Sequence, residues 1–287
     1  MNKILITGAN GQLGTELSKL LPDAICTDIN ELDISDYDAV IDFIKKNNIK
    51  TIINCAAYTA VDNAEDEFEL AHKVNVIGAK NLAKTNCDLI HISTDYVFDG
   101  QNHKPYLSND ATNPISMYGK TKRDGEIAVL ENNKNAIIIR TSWLYSTNGN
   151  NFVKTIRKLA KEKTFLNVVC DQVGSPTSAF DLACAIVKIL PQMRNNGGIY
   201  HFTNEGVCSW YDFAKEIVDL SELNCSIFPI STLEYPTKAK RPFYSVLDKT
   251  KIKETFNLEI SYWKDSLKKC IFELENCEKK GVCQWKE

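Results

Sequence analysis

The sequence predicts an α/β fold, a doubly wound parallel sheet followed by a smaller C-terminal domain. Short β-branched runs alternate with longer helical patterns through the first half of the chain, which is typical of a parallel sheet covered by helices. A glycine-rich turn directly follows the first predicted strand. A length of 287 residues suits one large α/β domain with a smaller appendage. Together these observations predict a Rossmann-like architecture.

Five strands are predicted in the first half, with helices between them. The strands cover residues 3–7, 24–27, 51–54, 89–93 and 136–140. Leu13, Leu17, Leu20 and Leu21 share one helix face, and Pro22 ends that helix. A second helix is opened by Ser35 and Asp38, and two more cover residues 68–84 and 117–130. Residues 99–114, rich in Gly, Pro, Asn and Asp, are predicted to form a loop near a strand end.

The second half has a looser rhythm. Helical patterns recur over residues 151–161, 179–190, 209–220 and 263–275, with short strands at 166–169, 198–202 and 226–230. We therefore expect residues 1–150 to form the main sheet domain, with the sheet completed by about residues 170–205. Residues 151–287 are expected to form mainly a substrate-binding lid.

Composition and charge exclude several classes of protein. The hydrophobic share of 44% and the charged share of 25% are ordinary for a globular protein. The 34 basic and 37 acidic residues are intermixed, which gives no basic face for nucleic acid. The sequence has no run of about 18 apolar residues, so no membrane span is predicted. The N-terminus reads as a strand rather than a signal peptide, so a cytoplasmic protein is predicted.

The ten cysteines do not predict a disulfide framework in a chain of this kind. Most stand alone in apolar runs, as Cys55, Cys170 and Cys184 do, where a thiol behaves as a small hydrophobic group. Cys277 and Cys283 could pair or bind a metal, but an incidental pair near the C-terminus is favoured.

The glycine turn, Gly8-Ala9-Asn10-Gly11-Gln12-Leu13-Gly14, lies between the first strand and its helix. Glycines there allow a tight turn, let backbone N–H groups approach a pyrophosphate, and let the helix pack against the strand. The spacing is Gly-x-x-Gly-x-x-Gly, one residue longer than the commonest dinucleotide pattern. In this strand–turn–helix context we predict nucleotide binding by Gly8, Gly11 and Gly14.

Asp28 ends the second predicted strand, where a carboxylate can accept hydrogen bonds from adenosine ribose hydroxyls. A solvated loop aspartate is the alternative. A carboxylate at this place favours NAD over NADP. Asp33 and Ile34, just ahead of the next helix, are predicted to flank the adenine.

Tyr118 and Lys122 form a Tyr-x-x-x-Lys pattern on a predicted helix, so both side chains lie on one face. A phenol has a pKa of about 10, and a nearby ammonium is expected to lower the pKa of Tyr118 toward the working range. The same ammonium can hold a nicotinamide ribose. Such a pair also occurs by chance on surface helices, but its place after the fourth strand and its loop favours a catalytic pair.

Thr94 ends the fourth predicted strand, within Ile92-Ser93-Thr94-Asp95-Tyr96. Hydroxyls at the carboxyl end of a parallel strand sit in the crevice where ligands bind. We predict that Thr94 hydrogen-bonds a substrate carbonyl alongside Tyr118. The alternative is a threonine present only for its strand propensity.

The joint pattern of motifs resembles the dTDP-4-dehydrorhamnose reductases, a family of extended short-chain dehydrogenases. The likeness covers nearly the whole chain. It is carried by the glycine turn and by residues 54–62, 93–100, 118–122, 140–143, 149–152, 171–177 and 241–242.

This resemblance implies an NAD(P)-binding Rossmann domain and the reduction of the 4-keto group of dTDP-4-dehydro-L-rhamnose to give dTDP-L-rhamnose. The cofactor is NADPH or NADH, with NADPH first on family grounds. By matching position, the residues implied to line the cofactor are Gly11, Gln12, Leu13, Asp28, Asp33, Ile34, Ala56, Ala57, Tyr58 and Ile92. Those implied to contact the sugar nucleotide are Thr94, Asp95 and Trp143.

Two of the substrate assignments have structural alternatives. The flat face of Trp143 can pack on a sugar or base, or the side chain can simply fill the core at a strand end. Arg241, with Lys238 and Lys240 nearby, can meet the diphosphate, or the three can form a solvated basic loop.

Some enzymes of the resembled family dimerise through a magnesium site built from glutamates. Glu16 matches one such ligand, but Phe180-Asp181 stands near the second expected position instead of a glutamate. We therefore predict no metal and a monomer or homodimer.

The predicted mechanism has Tyr118 protonating the C4 oxygen while Lys122 anchors the ribose and Thr94 polarises the carbonyl. A nucleotide-sugar 4,6-dehydratase is one alternative, but Tyr96 follows Thr94-Asp95 where that enzyme has a second acid. Another nucleotide-sugar 4-ketoreductase or epimerase of this fold stays open. A non-catalytic nucleotide-binding regulatory subunit is the alternative from another class.

Overall fold

The computed structural model describes residues 3–279 of the chain. Its strands are β1 Lys3–Thr7, β2 Ile25–Thr27, β3 Ile49–Asn54, β4 Asp88–Thr94, β5 Ile137–Thr141, β6 Leu144–Tyr145, β7 Phe165–Val169, β8 Val173–Gly174, β9 Thr177–Ser178, β10 Gly198–His201, β11 Cys208–Ser209 and β12 Ser226–Ile230. Its α-helices are α1 Gln12–Leu20, α2 Tyr37–Asn47, α3 Phe68–His72, α4 Ala79–Ala83, α5 Met117–Asn132, α6 Phe152–Glu162, α7 Ala179–Ile189, α8 Trp210–Leu220, α9 Thr250–Phe256 and α10 Trp263–Lys279.

Six of the strands form one parallel sheet in the order β2-β1-β3-β4-β5-β10. The strand order reverses between β1 and β3, and a crevice opens at that point at the carboxyl ends of the strands. The predicted Rossmann-like, doubly wound sheet is confirmed. Its central strands are buried, which explains their continuous apolar sequences.

Helices cover both faces of this sheet. On one face, α1, α7 and α9 pack through Leu17, Ile186 and Phe256. On the other, α2, α4 and α5 pack through Val40, Leu82 and Val129. Both faces are thus dry, and the polar ends of the strands are left for ligand binding.

A separate apolar core lies in the C-terminal part of the chain, around Phe213 of α8 and Trp263 of α10. It is bordered by two-stranded pairs, β7 with β12 and β8 with β11. The chain returns to the main sheet more than once, because α7 packs on α1 and β10 extends the sheet. None of the helices of residues 3–279 is both long and apolar enough to cross a membrane.

The helix predicted over residues 68–84 is divided. It runs as α3, a π-helical segment Lys73–Gly78, and α4. The apolar pattern alone cannot separate one π turn from an α turn. The predictions also omit α9 and the two-residue strands, which are too short to show a periodicity.

Candidate active site

A cavity of about 830 Å³ lies at the carboxyl ends of β1, β3, β4 and β5. The predicted site residues that line it are Gly8, Gly11, Gln12, Leu13, Gly14, Asp28, Asp33, Ile34, Ala56, Ala57, Tyr58, Ile92, Thr94, Asp95, Tyr118, Lys122 and Trp143. Folding therefore brings residues that are far apart in sequence to the walls of one cavity, whose volume is in the range of ligand-binding sites.

The glycine turn has the geometry that its sequence predicts. Gly8 has φ of +66°, and a Cβ there would lie 2.6 Å from the Ala56 backbone nitrogen. A Cβ on Gly14 would lie 2.2 Å from the Gly8 carbonyl oxygen. The helix α1 begins immediately after Gly11, which has no side chain to cover the first N–H groups. This is a backbone cradle that fits a dinucleotide pyrophosphate at a helix N-terminus.

Two carboxylates border the same end of the cavity. Asp28 accepts hydrogen bonds from the backbone nitrogens of Asn10 (3.1 Å) and Ile29 (2.8 Å), which fix it beside the glycine turn. Asp33 accepts a hydrogen bond from the Ser35 hydroxyl, and this bond holds the pKa of Asp33 below its usual range. Both positions suit the adenosine half of a dinucleotide.

The helix α5 carries the predicted catalytic pair. Its first residues are capped by the Ser116 hydroxyl, which accepts from the Gly119 nitrogen at 3.1 Å. Lys122 is buried, and its ammonium donates to the Ile92 carbonyl oxygen at 2.7 Å. Tyr118 is buried in the same cavity, with its ring edge-on to Tyr96 at 5.5 Å between centroids. The chain thus aims a phenol and an ammonium into one space.

The predicted lowering of the Tyr118 pKa is wrong for this arrangement. Burial raises the pKa of Tyr118, and a hydrogen bond with Thr94 opposes that rise only in part. Because a buried phenolate is poorly solvated, the phenol form is favoured. Tyr118 is therefore held as a proton donor rather than as a base.

Burial also lowers the pKa of Lys122 to about 8, and the Glu126 carboxylate on the next turn of α5 opposes that lowering. Glu126 is itself held by a bidentate ion pair with Arg140, at 2.8 and 2.7 Å, and by the Ser93 hydroxyl at 2.5 Å. Glu126 is not among the site residues that the sequence predicts. Its only sequence signal is its place one further helical turn along the face shared by Tyr118 and Lys122.

Asp95 is a buried carboxyl on the cavity wall. It accepts a hydrogen bond from the Thr94 hydroxyl at 2.9 Å, and its second oxygen is buried without a partner among the described residues. Burial raises the pKa of Asp95 to about 7. The Ser245 hydroxyl, whose oxygen also lacks a partner among the described residues, is close enough to this carboxyl to oppose the rise in its pKa. The free Asp95 oxygen therefore has Ser245 or a polar group of a ligand as its available partners.

Trp143 and Arg241, both predicted to contact the substrate, differ in their position relative to the cavity. Trp143 lines the cavity as predicted, and Arg241 does not. Arg241 instead pairs with Asp62, donating to its two oxygens at 3.2 and 2.6 Å. The sequence shows the positive charge of Arg241 but not the carboxylate that folding places beside it.

A second cavity, of about 210 Å³, contains Glu16, Asp181 and Glu273. Glu16 is engaged by Lys19 and by the Asn148 amide, and Asp181 by the Asn204 amide and the Ser266 hydroxyl. Within residues 3–279, no three His, Cys, Asp or Glu side chains are grouped to hold a metal ion. Cys277 is a free thiol, and Cys283 lies outside the described residues.

Comparisons with known proteins identify the relatives of this chain. The family model described as the RmlD substrate binding domain matches residues 1–276. A dTDP-4-dehydrorhamnose reductase of Aggregatibacter actinomycetemcomitans is 44% identical, covering 93% of this chain and 98% of that protein.

Solved structures that superpose on this chain include proteins with the same name as that relative. A dTDP-4-dehydrorhamnose reductase of Clostridium acetobutylicum superposes with a TM-score of 0.92 at 47% identity, covering 95% of this chain and 99% of that one. The corresponding enzyme of Bacillus anthracis, solved in complex with NADP, also gives 0.92, at 40% identity, and covers 95% of this chain and 100% of that one.

Proposed function

The chain belongs to the dTDP-4-dehydrorhamnose reductase family, and on that premise we propose that it reduces the 4-keto group of dTDP-4-dehydro-L-rhamnose to give dTDP-L-rhamnose. NADPH or NADH supplies the hydride for the carbonyl carbon when bound. The observation that carries the proposal is the convergence of Thr94, Tyr118 and Lys122 on the cavity that the glycine turn borders.

We assign the proton transfer to Tyr118. Burial keeps its phenol protonated, so it can donate to the C4 oxygen as negative charge develops there. The Thr94 hydroxyl lies next to that phenol and can donate a second hydrogen bond to the same oxygen once its single proton turns away from the Asp95 carboxylate. The Lys122 ammonium, which lines the same cavity, is assigned to holding the nicotinamide ribose.

The sugar nucleotide side is assigned to Asp95 and Trp143. The free oxygen of Asp95 suits a sugar hydroxyl, and the indole of Trp143 offers a flat apolar face. The assignment of Arg241 to the diphosphate requires that it leave Asp62. It stays a prediction.

Cofactor choice is balanced between two features. Asp28 beside the glycine turn favours the free ribose hydroxyls of NADH. The Bacillus anthracis relative binds NADP, which supports NADPH. We rank NADPH first and propose a cytoplasmic enzyme that is a monomer or a homodimer. The ratio of kcat/KM for the two cofactors tests the ranking.

The decisive experiment follows oxidation of NADPH by the purified protein. We expect it to depend on freshly generated dTDP-4-dehydro-L-rhamnose and to yield dTDP-L-rhamnose. Tyr118→Phe should lower kcat by roughly 10²- to 10⁴-fold while both ligands still bind. Near-normal turnover by this variant would remove Tyr118 from the proton transfer. Cofactor binding without turnover of this or any related 4-keto sugar nucleotide would instead favour a non-catalytic binding protein.

A further inference from the structure

Trp143 has a backbone conformation that a bulky residue rarely adopts. Its φ is +49°, in the left-handed region, which is unfavourable for a residue with a Cβ. Such a conformation persists only where the surroundings hold it. The contacts around Trp143 are therefore the place to look for what fixes this cavity wall.

The first contact is a parallel stack with Trp210. The two indole rings have centroids 3.6 Å apart and planes inclined by only 10°. Trp210 is the first residue of α8 and is packed in turn by Phe152, at 4.6 Å between ring centroids. One face of Trp143 is thus covered by an aromatic group that the C-terminal core supports.

The second contact is a clearance made by Gly174. A Cβ at this position would lie 2.7 and 2.8 Å from the Cε2 and Cζ2 atoms of Trp143. The backbone of Gly174 is not left-handed, so glycine is required here for space alone. Any larger residue would displace the indole or the buried Ser245 hydroxyl, whose oxygen would lie 2.7 Å from the added Cβ.

Stack and clearance are built on one unit of the C-terminal part. Gly174 ends β8 and pairs with Cys208 of β11, and β11 leads directly into α8. The start of α8 is fixed by a capping box between Ser209 and Asp212. The same strand pair therefore supplies the support for Trp143 and the room that it occupies.

We propose that Trp210 is a positioning residue that, with the space left by Gly174, orients Trp143 for the sugar nucleotide. The proposal rests on the proposed function, because it deepens the role given to Trp143 there. It assigns substrate orientation to a residue that the C-terminal part supplies, while the cofactor cradle is left untouched.

The test uses the full-length enzyme and the variants Trp210→Ala, Trp210→Phe and Gly174→Ala. A stacked indole pair gives a far-ultraviolet exciton couplet in circular dichroism, which all three variants should weaken or lose. Trp210→Ala and Gly174→Ala should raise the KM for the sugar nucleotide by roughly tenfold, with an unchanged Kd for NADPH. Trp210→Phe keeps a flat ring, so its KM for the sugar nucleotide should stay close to that of the wild type. Val207→Ala, at an exposed neighbour of β11, is the matched control and should change neither signal.

The outcomes separate this proposal from the proposed function. A Trp210→Ala enzyme whose KM stays within about twofold overturns the positioning role while turnover stands. A wild-type protein that binds dTDP-L-rhamnose without any turnover overturns the reductase assignment only. In that case, a weaker Kd for dTDP-L-rhamnose in Trp210→Ala still supports positioning. If Trp210→Ala loses binding of NADPH as well as of the sugar nucleotide, general unfolding is indicated, and this result counts against the proposal. The Trp210→Phe variant, which should keep the fold, then decides whether the positioning role stands.

Discussion

Lys122 is a buried cation with little to compensate its burial. Its ammonium has the Ile92 carbonyl at 2.7 Å and the Glu126 carboxylate one helical turn away. Cys55, directly after β3, and His91 of β4 also face it, and burial keeps the Cys55 thiol and the His91 imidazole neutral at pH 7. The low pKa of Lys122, about 8, follows from that environment. Its charge is therefore sensitive to pH in the working range of most enzymes.

We predict that kcat/KM falls on the alkaline side. Above the Lys122 pKa of about 8, the neutral amine can no longer hold the ribose as a cation, so the fall should approach tenfold for each pH unit. In Lys122→Arg the guanidinium stays charged, and the alkaline fall should disappear although the rate at neutral pH is lower. Profiles from about pH 6 to about pH 10 measure this. Lys120→Arg on the same helix is the control, and an alkaline fall that persists in Lys122→Arg would contradict the assignment.

Asp95 makes a contribution to stability that falls as pH rises. Its pKa is about 7 in the folded chain and near 3.8 when unfolded, so the folded state binds the extra proton between those values. The stability that this carboxyl contributes is full below about pH 4 and is lost as pH rises through 7. Asp95→Asn mimics the protonated form and does not titrate. The difference in unfolding free energy, wild type minus variant, should therefore fall between these pH values by up to about 1.4 kcal/mol per pKa unit. Urea titrations at several pH values measure it, and a flat difference would contradict it.

At the scale of elements, the π-helical segment Lys73–Gly78 connects the cavity wall at Tyr58 to the helix α5. Its Asn75 is buried, accepts from the Tyr58 nitrogen at 2.9 Å and donates to the Thr121 hydroxyl at 3.0 Å. A Cβ on Gly125 of α5 would lie 2.2 Å from the Asn75 carbonyl oxygen. The helix α5 is therefore in direct contact with this segment. The Asn75 side chain links α5 to the cavity wall through its hydrogen bonds with Thr121 and Tyr58.

We predict that Asn75→Ala lowers the unfolding free energy by roughly 1–3 kcal/mol, because it leaves buried polar groups unpaired. It should also weaken NADPH binding, since Tyr58 lines the cavity. Thr121→Val removes only one of the partners and should cost less. Denaturant titrations of both variants and of the double variant give the coupling between the two side chains. Strict additivity would show that the bond from Asn75 to Thr121 does not connect these elements.

Much of this arrangement was predictable from sequence, and the exceptions have physical causes. The strand–helix alternation and the glycine spacing predicted the sheet and the cradle, because both depend on local periodicity. The raised pKa of Tyr118 was not predictable, since it depends on burial by distant segments. Nor were the partners of Trp143 and Arg241, which lie far along the chain. Local sequence patterns identify which groups are present, and tertiary packing determines their protonation state and their interaction partners.

At the scale of the whole molecule, the two parts of the chain meet across the segment 231–243. Asp62, which follows the cavity wall, accepts from the Ala239 nitrogen at 3.0 Å and from the Arg241 guanidinium. The neighbouring Asp66 pairs with Lys238. The hydrogen-bonded Arg241 guanidinium holds the pKa of Asp62 below its usual range. These ion pairs are partly exposed, so they add little to global stability, but together they fasten the C-terminal segment to the cofactor half.

Local opening of this segment is therefore expected to respond to Asp62 more strongly than global unfolding does. Asp62→Asn removes the charge that holds Arg241, and trypsin should then cut faster after Lys238 and Lys240. The unfolding free energy should change by no more than about 1 kcal/mol. Asp124→Asn breaks the Arg123–Asp124 pair, which has similar exposure and lies on α5 away from the segment, and it should leave the cleavage rate unchanged. Equal cleavage of Asp62→Asn and the wild type would mean that other contacts hold the segment. Faster cleavage with lost global stability would mean that Asp62 supports the whole fold rather than this one junction.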